Sequence, residues 1–320
     1  MNISVAMCTY NGAKYVHDQI MSIASQSRLP DELVICDDNS SDETVKIIET
    51  FVGQVSFPIR LYKNERNLGS TKNFEKAISL CVGEVIALSD QDDLWYHQKL
   101  KLIEEAFSVS PNIGAVFTDA DVVDENLHSL GYRLWQSVGF SKTQQRQLIQ
   151  GKAFEVLLKH NVVTGATMAF RTKYRDLFMP ISSDWIHDGW IALHIGAVSK
   201  LTIISEPLIQ YRQHSMQQCG VMKRGFRGRY KLAKQIKRED YTEIANQYKG
   251  AGESLKKTIS PDNKLILLLK KKITHMELRA RLPENRVMRL LYVLIELLSL
   301  RYYRFSGSGF YNAAKDIFHL

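Results

Sequence analysis

The chain has 320 residues, of which 45% are hydrophobic and 24% charged, and this composition excludes a disordered or low-complexity protein. The length allows one large α/β domain or a catalytic domain with an appendage. The formal charge of +8 is uneven, because residues 1–222 contain 20 basic and 25 acidic side chains whereas residues 223–320 contain 22 and 9. Such a basic end predicts contact with an anionic surface, either phospholipid or nucleic acid, or a solvated helical face.

Short apolar runs alternate with helical patterns in the first part of the chain. The runs cover residues 3–8, 33–36, 59–62, 85–88 and 115–118. Strands that alternate with helices predict an α/β fold, with a Rossmann-like, mainly parallel sheet and helices on both faces. Because ligands of such sheets bind beyond the carboxyl ends of the strands, we expect the polar segments 9–11, 37–38 and 90–93 to converge on one crevice.

The pattern changes near residue 222 to long helical stretches rich in Lys and Arg. Residues 290–300 are apolar except for Glu296 and Ser299, and arginines and tyrosines flank them. This segment is shorter than the ~20 residues that a spanning helix needs. It predicts either a helix that lies in a membrane interface or an amphipathic helix packed on the rest of the chain or on a second copy.

Cysteine spacing and the N-terminus bear on the cellular compartment. Cys8, Cys36, Cys81 and Cys219 show no CxxC spacing, so we expect reduced, structural thiols. The first residues lack a charged segment followed by a long apolar run, which predicts no secretory signal and a cytoplasmic chain.

Acidic side chains follow the fourth predicted strand in the segment Ser89-Asp90-Gln91-Asp92-Asp93. Neighbouring carboxylates repel one another unless a cation is bound or their pKa values rise. Oxygen ligands of this kind suit Mg²⁺ or Mn²⁺ with positions left for diphosphate oxygens. The alternative interpretation is an Asp-rich turn. After the second strand, Asp37 and Asp38 predict hydrogen bonds to a base or ribose, or a cap for the next helix.

Four segments together resemble glycosyltransferase family 2 over roughly residues 1–220. They are MCTYNG at 7–12, CDDNSSDET at 36–44, NERNLG at 64–69 and SDQDDLW at 89–95. The resemblance implies the GT-A fold, a nucleotide-diphosphate sugar as donor and inversion at the anomeric carbon. It divides the chain into a GT-A catalytic domain at 1–222, which binds the nucleotide sugar up to about residue 120 and the acceptor beyond it, and a helical region at 223–320.

The resemblance also implies roles for individual residues. Asp92 would be the principal ligand of Mn²⁺ or Mg²⁺, and His214 is expected as a further ligand. Lys72 stands where the family more often has Arg. The residues expected to bind the donor are Thr9, Tyr10, Asn11, Asp38, Asn67, Lys72, Asn73, Asp90, Asp93 and Arg212.

An inverting transfer needs a base that accepts the proton of the acceptor hydroxyl. Asp188, in the segment WIHDGW, resembles the second member of a Glu-Asp pair of the family and is the candidate base, with His187 in place of the Glu. We expect His187 either to orient Asp188 or to be a satisfied polar residue. The residues expected on the acceptor side are Thr164, Gly165, Trp185 and Trp190.

Within the family, the chain resembles bacterial surface-polysaccharide enzymes, including rhamnosyltransferases. We therefore expect non-processive transfer of one sugar, L-rhamnose from dTDP-rhamnose, to a lipid-linked saccharide at the inner face of the cell membrane. The alternatives are another hexose from a UDP-sugar, a nucleotidyltransferase, and a nucleic-acid- or sugar-binding protein without activity. We expect an anionic membrane surface and no nucleic acid as partner, with a homodimer as an open alternative.

Overall fold

The computed structural model describes residues 1–215, 217, 220, 236–307 and 309–318. The chain divides into two compact units. One comprises Met1–Gly151 and Val163–Val221, and the other comprises Lys152–Val162 and Met222–Leu320. Residues 152–162 thus lie in the second unit, whereas the sequence-based division assigned them to the catalytic domain. The predicted boundary at residue 222 and Cys219 lie outside the described residues.

The first unit is built around one sheet. Its strands are β1 (Ile3–Thr9), β2 (Glu32–Asp37), β3 (Ile59–Lys63), β4 (Val85–Ser89), β5 (Leu94–Trp95), β6 (Ile113–Val123), β7 (Ser129–Arg133), β8 (Met168–Arg171) and β9 (Lys200–Arg212). Its helices are α1 (Val16–Ala24), α2 (Thr44–Phe51), α3 (Ser70–Leu80), α4 (Lys99–Ser108), α5 (Leu134–Val138), α6 (Lys142–Ile149), α8 (Arg175–Phe178) and α9 (His187–Val198).

The sheet order is β3-β2-β1-β4-β8-β6-β9-β5, with β7 paired to β6. Strands β1 to β4 are mutually parallel, β9 runs parallel to β6, and β8 and β5 are antiparallel to their neighbours. The predicted α/β fold with a mainly parallel sheet is therefore confirmed. Strands β1, β2 and β4 are buried along almost their whole length, which explains their continuous apolar sequences.

Strand register brings the polar segments of the chain to one edge of the sheet. Thr9 at the end of β1 pairs with Asp37 of β2. Met7 pairs with Ser89, so the acidic segment after β4 begins beside the loop that follows β1. The expected convergence of these segments is a consequence of parallel strands that end at the same level.

The second unit is helical. Its helices are α7 (Ala153–Lys159), α10 (Arg238–Leu255), α11 (Lys264–Ala280), α12 (Arg286–Leu298), α13 (Arg301–Phe305) and α14 (Gly309–Phe318). Asn263 and Asn285 begin α11 and α12 as N-caps, because their side-chain oxygens accept from backbone N–H groups of the first turn. The predicted C-terminal helical extension is confirmed. Among the described residues, no helix is both long and apolar enough to cross a bilayer.

A buried ion pair lies at the centre of this helical unit. Arg279 Nε donates to Asp316 at 2.6 Å, and its Nη atoms donate to Ser306 at 3.1 Å and to the Tyr241 hydroxyl. The Tyr302 hydroxyl donates to the same Asp316 oxygen at 2.7 Å. The Asp316 carboxylate therefore joins α11, α13 and α14 in the buried interior of this unit.

The change Asp316→Ala should lower the free energy of unfolding by about 3–5 kcal/mol, because it leaves the Arg279 guanidinium buried without its counter-ion. Chemical denaturation followed by circular dichroism measures this effect. The control Asp262→Ala removes an exposed carboxylate and should leave the free energy of unfolding almost unchanged. Equal stability of the two variants would contradict the structural role given to Asp316.

Candidate active site

The acidic segment after β4 is joined to the loop after β1 by one amide side chain. Tyr10 N donates to Gln91 Oε1 at 2.8 Å, and Gln91 Nε2 donates to Tyr10 O at 3.0 Å. A Cβ atom at position 12 would lie 2.1 Å from Gln91 Oε1, so this contact requires Gly12. The Gln91 side-chain amide thus pairs with the Tyr10 backbone as a neighbouring strand would. The Tyr10 side chain does not take part in this pairing and is 49% exposed.

Asn11 connects the loop after β1 to the loop after β2. Its N–H donates to Ser40 Oγ at 2.9 Å, and its Oδ1 accepts from Ser41 N at 2.8 Å. Asn11 has a positive φ of 47°, a left-handed conformation that Asn tolerates better than most residues. The structure therefore shows Asn11 as a link between two loops, and its predicted contact with the donor stays a prediction.

The two adjacent carboxylates at the end of β2 are both buried and hydrogen-bonded within the protein. Asp37 accepts from Thr9 Oγ1 at 2.8 Å. Asp38 accepts from Asn64 Nδ2 at 2.8 Å, from Leu68 N at 2.8 Å and from Gly69 N at 2.9 Å. Asp38 consequently fastens the loop between β3 and α3, a role that sequence reasoning missed.

Three predicted donor contacts lie on that loop or on α3. Asn73 is buried, donates to Cys36 O at 2.8 Å and accepts from Asn64 at 2.9 Å. Lys72 Nζ donates to Glu75 at 2.8 Å and to the carbonyl of Ile181 at 2.6 Å. Asn67 is exposed and hydrogen-bonds the backbone at Asp38 and Gly69. Of the three side chains, Asn67 is the most accessible to a ligand.

Crowding of carboxylates changes the acidity of the segment after β4. Burial, followed by the charges of Asp92 and Asp188, raises the pKa of Asp90 to about 7. Burial and the charges of Asp92 and Asp90 also raise the pKa of Asp93 well above its usual value. A bound cation would relieve both effects because it stabilises the ionised carboxylates.

The end of β9 meets the acidic segment at two side chains. His214 Nε2 lies 2.8 Å from Asp92 Oδ2. Arg212 Nε donates to Asp92 O at 2.7 Å, and Arg212 N donates to Asp93 Oδ1 at 3.1 Å. These bonds hold the segment in place. Arg212 is 5% exposed, and its predicted contact with the donor stays a prediction.

The predicted metal ligands Asp92 and His214 are thus brought together. The described residues contain no group of three or more potential His, Cys, Asp or Glu ligands that could hold a metal ion. Asp93 Oδ2 is buried and has no hydrogen-bond partner among the described residues. Carboxylate oxygens suit Mg²⁺ and Mn²⁺, which take further ligands from phosphates and water, whereas an imidazole is acceptable to Mn²⁺ and borderline for Mg²⁺.

Asp188 lies in the first turn of α9, close enough to the acidic segment to raise the pKa of Asp90. Its carboxylate accepts from Gly165 N at 2.9 Å, which brings together two predicted site residues and places Thr164 beside them. Trp185 is half-buried. Trp190 is 3% exposed and its Nε1 donates to Phe178 O at 2.7 Å, so it is a core residue without the surface that a sugar would need.

His187 is buried against Phe74, and the two ring centroids are 4.0 Å apart. Neither ring nitrogen has a hydrogen-bond partner among the described residues, and burial lowers the pKa of His187 to about 3. A Cβ atom at position 165 would lie 2.6 Å from its Nε2. The expectation of a satisfied polar residue is therefore wrong, because His187 is a neutral, stacked ring that requires Gly165 as its neighbour.

Lys99 is a buried cation that sequence reasoning missed. It lies at the start of α4, its Nζ donates to Ala166 O at 2.7 Å, and it is 3.6 Å from the centroid of the Trp95 ring. Burial lowers the pKa of Lys99 to about 7, while the charges of Asp93 and Asp90 oppose that shift. The hydrophobic periodicity of a helix does not predict that a lysine in its first turn is buried. The sequence offered only one hint, which is that Lys99 lies six residues after Asp93.

The buried His187 predicts a loss of stability in acid. Because its pKa is depressed in the folded state, the unfolded chain binds a proton that the folded chain does not bind between pH 6.5 and about pH 3. Stability contributed by neutral His187 is therefore present above pH 6.5 and is lost as the pH falls. We expect the free energy of unfolding of His187→Gln to decline less steeply with falling pH than that of the wild type. The two slopes should differ by the uptake of at most one proton on unfolding.

Urea titrations at several pH values between 7 and 4 measure this difference. His128→Gln removes an exposed imidazole and serves as control. Parallel acid profiles for His187→Gln and the wild type would show that His187 is not held neutral.

The chain is similar to several known proteins. The model of the family described as glycosyl transferase family 2 matches residues 4–176. A glycosyltransferase of Nostoc is 28% identical over 221 residues, which are 67% of this chain and 65% of that protein. The dTDP-rhamnosyl transferase RfbG of Shigella flexneri is 27% identical over 75% of this chain and 83% of its own length.

A shorter match, 29% identical, covers 39% of this chain and 47% of the Escherichia coli enzyme WfgD, a UDP-Glc:alpha-D-GlcNAc-diphosphoundecaprenol beta-1,3-glucosyltransferase. Among solved structures, S. aureus TarS 1-349 in complex with UDP-GlcNAc has a TM-score of 0.57 at 18% identity, over 99% of this chain and 90% of that one. The predicted GT-A fold and glycosyltransferase class are confirmed. Since the family model matches more than half of its length, the chain belongs to glycosyltransferase family 2.

Proposed function

We propose that this glycosyltransferase moves one sugar, with inversion, from a nucleotide-diphosphate donor to a saccharide acceptor in a metal-dependent, non-processive reaction. The observation that carries the proposal is the meeting of Asp92, His214 and Asp90 at the carboxyl edge of the sheet, with Asp188 near enough to shift the pKa of Asp90. Residues from three distant parts of the chain supply a metal-binding pair and a candidate base.

Asp92 and His214 are the residues that would hold Mn²⁺ or Mg²⁺, and Asp90 and Asp93 would add negative potential around the ion. When bound, the metal would neutralise charge on the leaving diphosphate. Arg212 fixes the Asp92 backbone from one side. Lys99 partly balances the acidic segment from within the core.

Asp188 is proposed to accept the proton of the acceptor hydroxyl. As the hydroxyl oxygen bonds to the anomeric carbon, the bond from that carbon to the diphosphate oxygen breaks, and the hydroxyl proton passes to the carboxylate. The hydrogen bond from Gly165 N holds the carboxylate in one orientation. Thr164 and the half-buried Trp185 are proposed to contact the acceptor sugar.

The nucleoside end of the donor is proposed to lie against the exposed ring of Tyr10, with Asn67 beside it. Four other predicted donor-binding residues already form hydrogen bonds within the protein, so they would act by holding the loops that carry Tyr10 and Asn67. They are Thr9, Asn11, Asp38 and Asn73. Lys72 would act through the loop at Ile181.

The proposed donor is dTDP-L-rhamnose, and similarity to RfbG over three quarters of the chain supports it. Another hexose from a UDP-sugar is the second candidate, supported by WfgD and by the UDP-GlcNAc complex of TarS. The WfgD name specifies an acceptor on diphosphoundecaprenol, which supports a lipid-linked saccharide as acceptor here. We accordingly propose action at an anionic membrane surface, on the inner face of the cell membrane.

Thermal denaturation with nucleotides and metals tests the donor and metal proposals together. We expect dTDP or UDP to raise the melting temperature only with Mn²⁺ or Mg²⁺. Asp92→Asn should abolish that rise without lowering the melting temperature of the metal-free protein, because it removes a repelling charge. Asp18→Asn, on the exposed side of α1, is the control. An unchanged metal-dependent rise in Asp92→Asn would refute Asp92 as a ligand.

The change Asp188→Asn tests the base. We expect kcat to fall by about 10²–10⁴-fold, since an amide cannot take the proton. The amide oxygen can still accept from Gly165 N, so the nucleotide-induced melting shift should persist. Asp184→Asn, an exposed carboxylate just before α9, is the matched control. Retained turnover in Asp188→Asn would exclude Asp188 as the base.

A further inference from the structure

Helix α12 exposes most of its apolar side chains and buries two charged ones. The buried positions are Arg289, Val293 and Glu296. The outward apolar face, which we call the α12 face, is formed by Val287, Leu290, Leu291, Leu294, Ile295 and Leu298, between 41% and 84% exposed. Val293 and Leu297 pack on the core, but the larger part of the apolar surface of α12 faces outward, unlike that of a helix that packs its whole apolar stripe on a core.

The rotation of α12 about its axis is fixed by buried charges. Glu296 Oε2 lies 2.6 Å from His275 Nδ1 of α11, and Glu296 Oε1 accepts from Arg301 at 2.7 Å. Turning the α12 face inward would expose this cluster and remove these partners from Glu296. The exposure of the leucines is therefore a property of the folded helical unit.

More exposed aromatic and basic side chains lie at the ends of α12 and on the helices that pack against it. Tyr303 is 64% and Phe310 79% exposed, on the α13 and α14 segments that pack against α12. Arg286 at the start of α12 and Arg304 after its end are also exposed. Apolar residues with a cationic and aromatic border are typical of helices at the headgroup level of a bilayer.

We propose that the α12 face inserts into the interfacial layer of an anionic phospholipid bilayer, with the helix parallel to the membrane plane. At 13 residues, α12 is about 20 Å long and cannot span the bilayer. This inference rests on the proposed function in that a lipid-linked acceptor would lie at the same surface.

Charge favours a lipid surface over a second copy of the chain. Residues 223–320 contain 22 basic and 9 acidic side chains, so two such regions facing each other would repel. Anionic headgroups instead attract juxtamembrane Lys and Arg. Arg286 and Arg304, close to the ends of α12, would meet the headgroups while the leucines lie deeper.

Flotation of the full-length protein with vesicles tests the proposal. Vesicles of phosphatidylcholine with phosphatidylglycerol should bind the chain, and pure phosphatidylcholine should bind it at least tenfold more weakly. Leu291→Ser with Leu294→Ser should weaken binding to the anionic vesicles at least tenfold. Val82→Ser with Val109→Ser, which changes two apolar side chains of the first unit that are about 80% exposed, is the matched control and should bind like the wild type.

Two readouts separate this inference from the proposed function. The nucleotide-induced melting shift should be the same in the wild type and in Leu291→Ser with Leu294→Ser, so its absence from both would count against the function and not against the membrane contact. Sedimentation without vesicles tests for a second copy. Unchanged vesicle binding by the double variant, or a dimer that the double variant dissociates, would overturn the proposal.

Discussion

Repulsion among the carboxylates after β4 is the constraint on which the site depends. Asp90, Asp92 and Asp93 follow a strand that is buried throughout, so their charges lie in a poorly solvated place and the pKa values of Asp90 and Asp93 rise. The chain opposes this repulsion with two basic side chains from different directions. Arg212 bonds the segment from the end of β9, and Lys99 lies beneath it in the core. The carboxylates keep an excess of negative charge that these two side chains do not balance. A divalent metal would supply the missing positive charge and would in turn bind the diphosphate.

Most predicted donor-binding residues stabilise the loops rather than present free polar atoms. Asp38 accepts three hydrogen bonds from the segment after β3, and Asn73 holds the end of β2. Gln91 and Asn11 join neighbouring loops in the same way. The four segments that resemble the family therefore bond to one another, and these bonds fix the loop positions before any ligand binds. Such preorganisation contributes to transfer, since a small displacement of reacting groups costs large factors in rate.

The sequence predicted well those elements whose two faces are both buried. Strands β1, β2 and β4 are continuous apolar runs because helices cover the sheet, and their parallel order follows from the alternation with helices. The antiparallel insertion of β8 between β4 and β6 has no such signal, since it is four residues long and is positioned by partners distant in sequence. Side-chain environments were harder still. Trp190 was expected to contact the acceptor, yet it is buried and donates to Phe178 O. Lys99 and Glu296 are buried as well, and the partners of their polar atoms, Ala166 O and His275, lie on other segments that no local sequence pattern identifies.

Charge distribution links the acidic site to the basic end of the chain. Residues 1–222, which contain the proposed active site, have a net charge of −5 and would be repelled by anionic headgroups, whereas residues 223–320 have a net charge of +13. If the carboxylates hold a metal and a diphosphate and the acceptor is lipid-linked, as proposed, the enzyme requires a separate source of attraction to the surface. Electrostatic attraction alone is screened at physiological salt within about 8 Å. Salt does not screen apolar contact in this way. The exposed leucines of α12 would therefore hold the chain close enough to the membrane for its arginines to attract the anionic headgroups, and neither feature would suffice without the other.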